Sequence, residues 1–242
     1  MSDTCTSSTN VQPAYKCVEI KGKGMGMVAT RDIKSGEIIL EEEPVITIFQ
    51  YRTLTIFQVR RGLEAVQREF DKLPAAAQAA VMELHDRWAS MQIKENKNLF
   101  NIFRTNCFRR GCNSEDAILC LEMSRFNHSC KPNISHAFAD PNERMYAVRD
   151  IKAGDELCTY YVAPFLAKEK RQAELKSYYG FTCKCEVCTL PKKESELSEK
   201  RRAKYRDLDE KVPSVGGMNP RQGLSMVEDI FEVFKIRIYY IL

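Results

Sequence analysis

Arg125-Phe-Asn-His-Ser-Cys-Lys-Pro-Asn133 carries an amide, an imidazole, a thiol and an ammonium within one short run, directly ahead of the strand-like stretch Ile134–Phe138. Two generic readings compete for it. Asn127 and His128 can be capping groups of a turn, or His128 and Cys130 can be the base and nucleophile of a hydrolase. In the second reading the Cys130 thiol must stay free of any metal.

C-terminal to this run lies Cys183-x-Cys185-x-x-Cys188. Three thiolates at this spacing can converge on one tetrahedral zinc and leave its fourth position open. Spacing alone does not choose the fourth ligand among Cys107, Cys112, Cys120, Cys130 and Cys158. On the N-terminal side, Lys23-Gly-Met-Gly26 holds two glycines, which let a backbone approach a ligand closely. It lacks the spacing and the strand-to-helix context of a dinucleotide fingerprint or a P-loop.

The rest of the chain organises around these motifs. Residues 1–13 read as a disordered leader, polar and without the apolar core of a secretory signal. From Tyr15 to Phe49, short β-prone runs (CVEI, GMVA, EIIL, PVITIF) alternate with glycines. Residues 52–96 form a helical insert: Pro74 opens a helix, and Ala77, Val81, Leu84, Trp88 and Met91 supply one buried stripe. Strands return at Ile134–Phe138 and Met145–Val148, joined by a turn at Asp140-Pro-Asn-Glu. Arg31-Asp-Ile-Lys-Ser-Gly-Glu recurs as Arg149-Asp-Ile-Lys-Ala-Gly-Asp, a turn that feeds a strand, and predicts a pseudo-symmetric, mainly β core. Residues 165–179 and 192–211 look helical, the latter as a solvated face. Val212–Pro220 reads as a Pro/Gly linker before an amphipathic helix with Val227, Ile230, Phe231, Phe234 and Ile238.

The totals bound the function. The chain has 242 residues, a net charge of +4 and ten cysteines. The charge is too small to imply nucleic-acid binding, and no run reaches the ~20 apolar residues of a membrane span. We expect an intracellular protein, nuclear or cytoplasmic, in which the cysteines are metal ligands or buried thiols rather than disulfides.

Arg125–Asn133 resembles the signature of SET-domain methyltransferases. Gly154-Asp-Glu-Leu-Cys-Thr-Tyr-Tyr161 is similar to their second motif, the cysteine trio to their post-SET zinc motif, and Lys23–Gly26 to their N-terminal glycine pair. The elements stand in family order across residues 16–190. Thr105-Asn-Cys-Phe108 and Leu175-x-x-x-Tyr179-Gly-Phe181 resemble the SMYD-like branch. Residues 18–106 contain no cysteine, so the MYND zinc finger of that branch is missing.

The resemblance implies a SET domain over 14–190, mainly β with a helical insertion, a post-SET zinc motif at 181–190, and a charged linker with a short helical C-terminal region over 191–242. It implies S-adenosylmethionine held by Lys23, Gly24, Met25, Gly26, Asn106, Asn127, His128, Tyr161 and Phe181, with a side-chain role for Met25 the least expected. Cys130 would complete a structural zinc site with Cys183, Cys185 and Cys188. Tyr161 would be catalytic, with Tyr179 and Thr159 beside the substrate lysine. The partner would be a protein with an exposed lysine, a histone tail or another protein, with no direct contact to nucleic acid or membrane. The alternative is a catalytically silent SET scaffold for protein–protein interaction.

Overall fold

The computed structural model describes residues 13–51, 59–89, 97–111, 114–139 and 141–235. Most of the leader, Met91, Cys112 and Ile238 lie outside the described residues, as does the side chain of Phe234.

Among the described residues, ten short strands form three sheets. β1 (Tyr15–Ile20) and β2 (Gly24–Ala29) make an antiparallel hairpin. β2 pairs with β10 (Glu156–Thr159), and β10 lies parallel to β7 (Asn127–His128). The second sheet orders β3 (Ile38–Glu42), β9 (Asn142–Ala147) and β8 (Ile134–Ala139). Its β8–β9 hairpin closes at Ala139 and Asn142, so β9 starts three residues before the expected Met145. The third joins β4 (Ile46–Ile48), β6 (Ala117–Leu119) and β5 (Phe108–Arg109). A core of Met27, Ile33, Ile118, Met123, Phe126, Ile134, Met145 and Leu157 lies among these strands.

The repeated heptapeptides meet each other. Ile33 and Ile151 exchange both backbone hydrogen bonds at 2.9 Å. The Asp32 carboxylate accepts from Ala153 N and Lys152 Nζ, and Asp150 accepts from Ser35 N and Lys34 Nζ in the same way. Gly36 and Gly154 turn the chain with φ of 84° and 90°, a conformation that favours glycine. Each then leads into its strand, β3 or β10. A local pseudo-twofold thus ties the first sheet to the second.

The insert supplies α1 (Val59–Asp71) and α2 (Ala75–Glu83), and α3 (Leu99–Asn106) follows. Val66, Val81, Leu84, Ile102 and Phe103 pack on Ile46, Ile48 and Leu119 of the third sheet. The expected stripe does not run on to Trp88. The buried Asp86 carboxylate accepts from Trp88 N, Ala89 N and Asn98 N, and this turn replaces helix. Trp88 lies instead beneath the guanidinium groups of Arg87 and Arg104, each 5.0 Å from its ring.

After β10 come α4 (Lys168–Glu174), which continues as one wider π-type turn through Tyr179, then α5 (Lys192–Met218) and α6 (Pro220–Lys235). The expected linker is therefore helix up to Met218, interrupted at Asn219. Of the two linker glycines, Gly216 serves packing, since a Cβ on Gly223 of α6 would meet its Cα at 2.5 Å, whereas a Cβ on Gly217 would meet nothing within 4 Å.

Candidate active site and cysteine cluster

The parallel pairing of β7 with β10 sets Asn127 beside Cys158 and His128 beside Thr159. β2 flanks the other edge of β10 and brings Lys23–Gly26 alongside. Glu156 joins the three segments, accepting from Lys23 Nζ at 2.6 Å and from Asn127 Nδ2 at 3.0 Å. The Asn127 amide also donates to the Met25 carbonyl at 3.2 Å. Gly24 has φ of 76°. Gly26 needs its missing side chain for a different reason: a Cβ there would lie 2.4 Å from Asn127 Nδ2 and 2.8 Å from Ile20 Cγ1. The Met25 side chain is exposed and only its backbone faces the group.

Tyr161 follows β10. Its hydroxyl donates to the Phe126 carbonyl at 2.9 Å, which leaves the oxygen lone pairs free to accept. Burial, reinforced by Tyr179, raises its pKa well above the ordinary phenol value, so it stays protonated at neutral pH. Tyr179 stacks obliquely on it with ring centroids 4.8 Å apart, and Phe181 meets it edge-on at 6.4 Å. Gly180, between those two rings, turns with φ of 81°. His128 lies 5.4 Å from the Tyr161 ring and 6.1 Å from Phe181. Thr159 is fully buried, and its hydroxyl has no partner among the described residues.

The Tyr161 N–H donates to His128 Nδ1 at 3.0 Å. A backbone N–H can only donate, so Nδ1 is unprotonated and the imidazole proton sits on Nε2, 3.3 Å from Cys130 Sγ. Burial lowers the His128 pKa to about 4, so the ring is neutral. In this tautomer His128 donates toward the sulfur and cannot remove a thiol proton. Cys130 is also wholly buried. The hydrolase reading is therefore overturned.

The sulfurs of Cys130, Cys183, Cys185 and Cys188 all lie within 4.8 Å of one another, with Cys130 3.6 Å from Cys188 and 4.0 Å from Cys183. Tetrahedral zinc with Zn–S bonds of about 2.3 Å requires sulfurs roughly 3.8 Å apart, so the donor set fits that metal. Every described cysteine is a free thiol. Hydrogen bonds from the other three hold Cys185 far below the usual thiol range, and those from Cys130 and Cys183 bring Cys188 to about 7. Hydrogen bonding within the cluster pushes Cys130 and Cys183 above the usual thiol range in turn, so the four thiols lose their protons in separate steps. Cys120, by contrast, is buried in the β core with its pKa raised by burial, a small apolar side chain rather than a ligand.

One expected residue is committed elsewhere. Asn106 donates both amide hydrogens to the carbonyls of His85 and Ile102, at 2.8 and 2.7 Å, so its nitrogen serves the helical region. Its backbone carbonyl accepts from Ser124 Oγ near β7. Sequence reading missed Glu156, although it stands inside a quoted motif, because only the tertiary pairing places it between Lys23 and Asn127. It also missed Arg171 and Arg202, both fully buried behind the cysteines, since charged residues on amphipathic helices ordinarily read as surface.

Among the described residues, no helix is long and apolar enough to cross a membrane. Comparison with known proteins finds a relative in Schizosaccharomyces pombe, histone-lysine N-methyltransferase set5. It is 28% identical over 217 residues, 87% of this chain and 61% of that protein. The chain thus spans less than two thirds of that relative. A SET domain-containing protein of Acanthamoeba polyphaga mimivirus is 27% identical across 71% of this chain and 76% of its own. Human histone-lysine N-methyltransferase SMYD3 is 31% identical across 38% of this chain and 22% of its own. A solved structure, the SET domain of LSMT bound to lysine and AdoHcy, aligns with TM-score 0.41 and 15% identity, over 71% of this chain and 53% of that one. The model of the SET domain matches residues 24–162, more than half of the chain, so β2 through Tyr161 form a SET domain and the chain belongs to the SET-domain family.

Proposed function

We propose that the chain is an S-adenosylmethionine-dependent protein-lysine N-methyltransferase. The observation that carries this is the convergence of Lys23–Gly26, Asn127, His128 and Tyr161 with the rings of Tyr179 and Phe181. The relatives' names, histone-lysine N-methyltransferases, support the same reaction and offer a histone as one substrate, with action in the nucleus or cytoplasm.

The backbone of Lys23–Gly26, with Asn127 and His128, would hold the polar end of the cofactor, and Phe181 would stack near its adenine. Asn106 has only its side-chain oxygen left for such a contact. When bound, the cofactor supplies an activated methyl on a sulfonium. Tyr179 and Tyr161 line the approach of the lysine stem, and their faces suit cationic and aliphatic groups. A free lysine has a pKa near ~10.4 and must shed its proton before it attacks. An aromatic, desolvated channel beside a second cation disfavours the ammonium form. The Tyr161 hydroxyl, its proton engaged by Phe126, would present a lone pair that orients the amine. The role of the chain is alignment, which can contribute several orders of magnitude to rate. Thr159 is small for a wall beside the amine, so products beyond monomethyl-lysine are expected. Cys130, Cys183, Cys185 and Cys188 would hold zinc and keep Phe181 and Tyr179 over the site.

Calorimetry with the cofactor and its demethylated product, followed by radiolabelled methyl transfer to a peptide array, tests the proposal. Tyr161→Phe should bind cofactor nearly normally yet turn over on the order of 10²-fold more slowly. Wild-type turnover in that variant would remove the catalytic role. Cofactor binding with no transfer to any protein would favour a silent scaffold, and mass spectrometry at exhaustive turnover reads the methylation state.

A further inference from the structure

Glu156 stands where three segments meet, yet its ion pair is a poor source of stability. Its Oε2 accepts from Lys23 Nζ at 2.6 Å, but the Lys23 and Glu156 side chains are 44% and 21% exposed. An ion pair this open to water contributes little. What the carboxylate fixes is the Asn127 amide. Asn127 Nδ2 donates to Glu156 Oε1 at 3.0 Å and to the Met25 carbonyl at 3.2 Å. Both partners are acceptors, so the nitrogen must face them and both of its hydrogens are committed. β10 pairs with β2 at Val28 and Met27 and stops short of Met25, which leaves that carbonyl to the amide. The Glu156 backbone is held in turn by buried Asn133. The Asn133 Nδ2 donates to the Glu156 carbonyl at 2.9 Å, and its Oδ1 accepts from Cys158 N at 2.7 Å.

The Asn127 oxygen is therefore the free end of the amide. It accepts from no group among the described residues, and it is not sealed off from solvent. An acceptor left without a donor selects a ligand that brings an N–H or an ammonium. The polar end of S-adenosylmethionine carries one, its α-ammonium. The Lys23 ammonium, the nearby donor that could take the same oxygen, is engaged by Glu156 instead.

We propose that Glu156 is a positioning residue for the cofactor: it locks the Asn127 amide so that the oxygen is left to receive the cofactor's α-ammonium. The proposal rests on the cofactor reading above and adds the residue that orients the amino end.

The test sets two ligands against three forms of the full chain, read by calorimetry. The ligands are the demethylated product and its analogue without the α-amino group. Wild-type protein should prefer the amino-bearing ligand by about 10-fold or more, the range of a hydrogen bond to a charged group. Glu156→Gln has one side-chain oxygen where the carboxylate has two. Lys23 claims that oxygen, the Gln amide nitrogen then faces Asn127, and Asn127 turns its own oxygen inward. The preference should fall to within about 3-fold, while the melting temperature moves by no more than about 4 °C. Adding Lys23→Met to Glu156→Gln frees the Gln oxygen for Asn127 and should restore the preference. A purely structural Glu156 would weaken both ligands alike, and a second substitution would not rescue it; either result overturns the proposal. A structure of the wild-type complex needs no variant to fold. In it the ligand ammonium should lie within hydrogen-bond distance of Asn127 Oδ1, and an ammonium bound elsewhere would count equally against the proposal. Wild-type protein that binds neither ligand removes the cofactor reading and the proposal with it, whereas equal affinity for the two removes the proposal alone.

Discussion

The β core and the cysteine region bury the same residue type to opposite ends. Around Met123, Cys120 is packed among Ile118, Phe126, Ile134 and Met145, and its thiol is kept neutral by burial. Around Cys130, four thiols crowd together beside two buried guanidinium groups, with Val162, Leu175 and Val187 as the apolar packing. The first region is held by strand pairing and area removed from water, at ~25 cal/mol per Å² of apolar surface. The second combines apolar and aromatic packing with four thiols at metal-ligand distances. The lesson is that burial alone does not decide what a cysteine does: a lone thiol in apolar packing stays neutral, whereas clustered thiols make a donor set. Tyr161 sits at the seam, bonded to Phe126 of the first region and stacked on Tyr179 of the second.

Stripping the metal should break the comparison most visibly. A strong chelator is expected to abolish methyl transfer and the near-ultraviolet dichroism of Tyr179 and Phe181, while the far-ultraviolet strand signal persists. Simultaneous loss of both signals would mean that the two regions are one cooperative unit.

Within the core, the two motif glycines should separate by mechanism. Gly26→Ala places a methyl 2.4 Å from Asn127 Nδ2 and must displace that amide. A cost of about 1–3 kcal/mol and weakened cofactor binding are expected in denaturant titration and calorimetry. Gly24→Ala meets no atom within 4 Å and suffers only from its φ of 76°, so its cost of roughly 1 kcal/mol should leave Asn127 in place. Equal loss of cofactor binding in both would sink the distinction.

A buried acid sharpens the contrast between uncharged and charge-matched interiors. Glu143 is fully buried, its carboxylate oxygens lack partners among the described residues, and burial raises its pKa to about 7 despite Arg110. The folded state therefore binds a proton that the unfolded chain has released between about 4.5 and 7, and stability from this group falls as pH rises through that window. Glu143→Gln should raise the melting temperature at pH 8 and change it little at pH 4. An equal shift at both values would rule out the acid as the cause.

The smallest effects belong to the pseudo-twofold. Asp32→Asn and Asp150→Asn each weaken one exposed ion pair and its carboxylate bond to a backbone N–H. The two should lower the melting temperature slightly and by similar amounts. A large difference between them would show that the repeats carry unequal parts of the core.

Much of the fold was legible because its signals are local. Alternation and glycine marked β1 to β4, the repeated heptapeptides announced a pseudo-symmetric core, and Pro74 marked the start of α2. Local signals also misled where a distant partner intervened. Asp86 ended the Trp88 stripe by capping backbone groups as far away as Asn98, and Gly216 and Gly223 made a helix crossing of an apparent linker. The candidate site was legible as a set of motifs, yet Asn106 shows the limit: its residue type suited a ligand, but the carbonyls of His85 and Ile102 had already taken its amide hydrogens.

By itself the sequence determined which side chains are present and how they are spaced: three thiols at ligand spacing, an Asn–His pair ahead of a strand, and a tyrosine at the end of another. Those are short-range properties, carried by residues a few positions apart. Only the tertiary structure decided that Cys130 completes the thiol cluster from 53 residues away from Cys183, that His128 carries its proton on Nε2, and that Arg171 and Arg202 lie buried behind the cysteines. Burial and partner geometry set a group's charge and proton position, and both depend on residues that meet only when the chain folds.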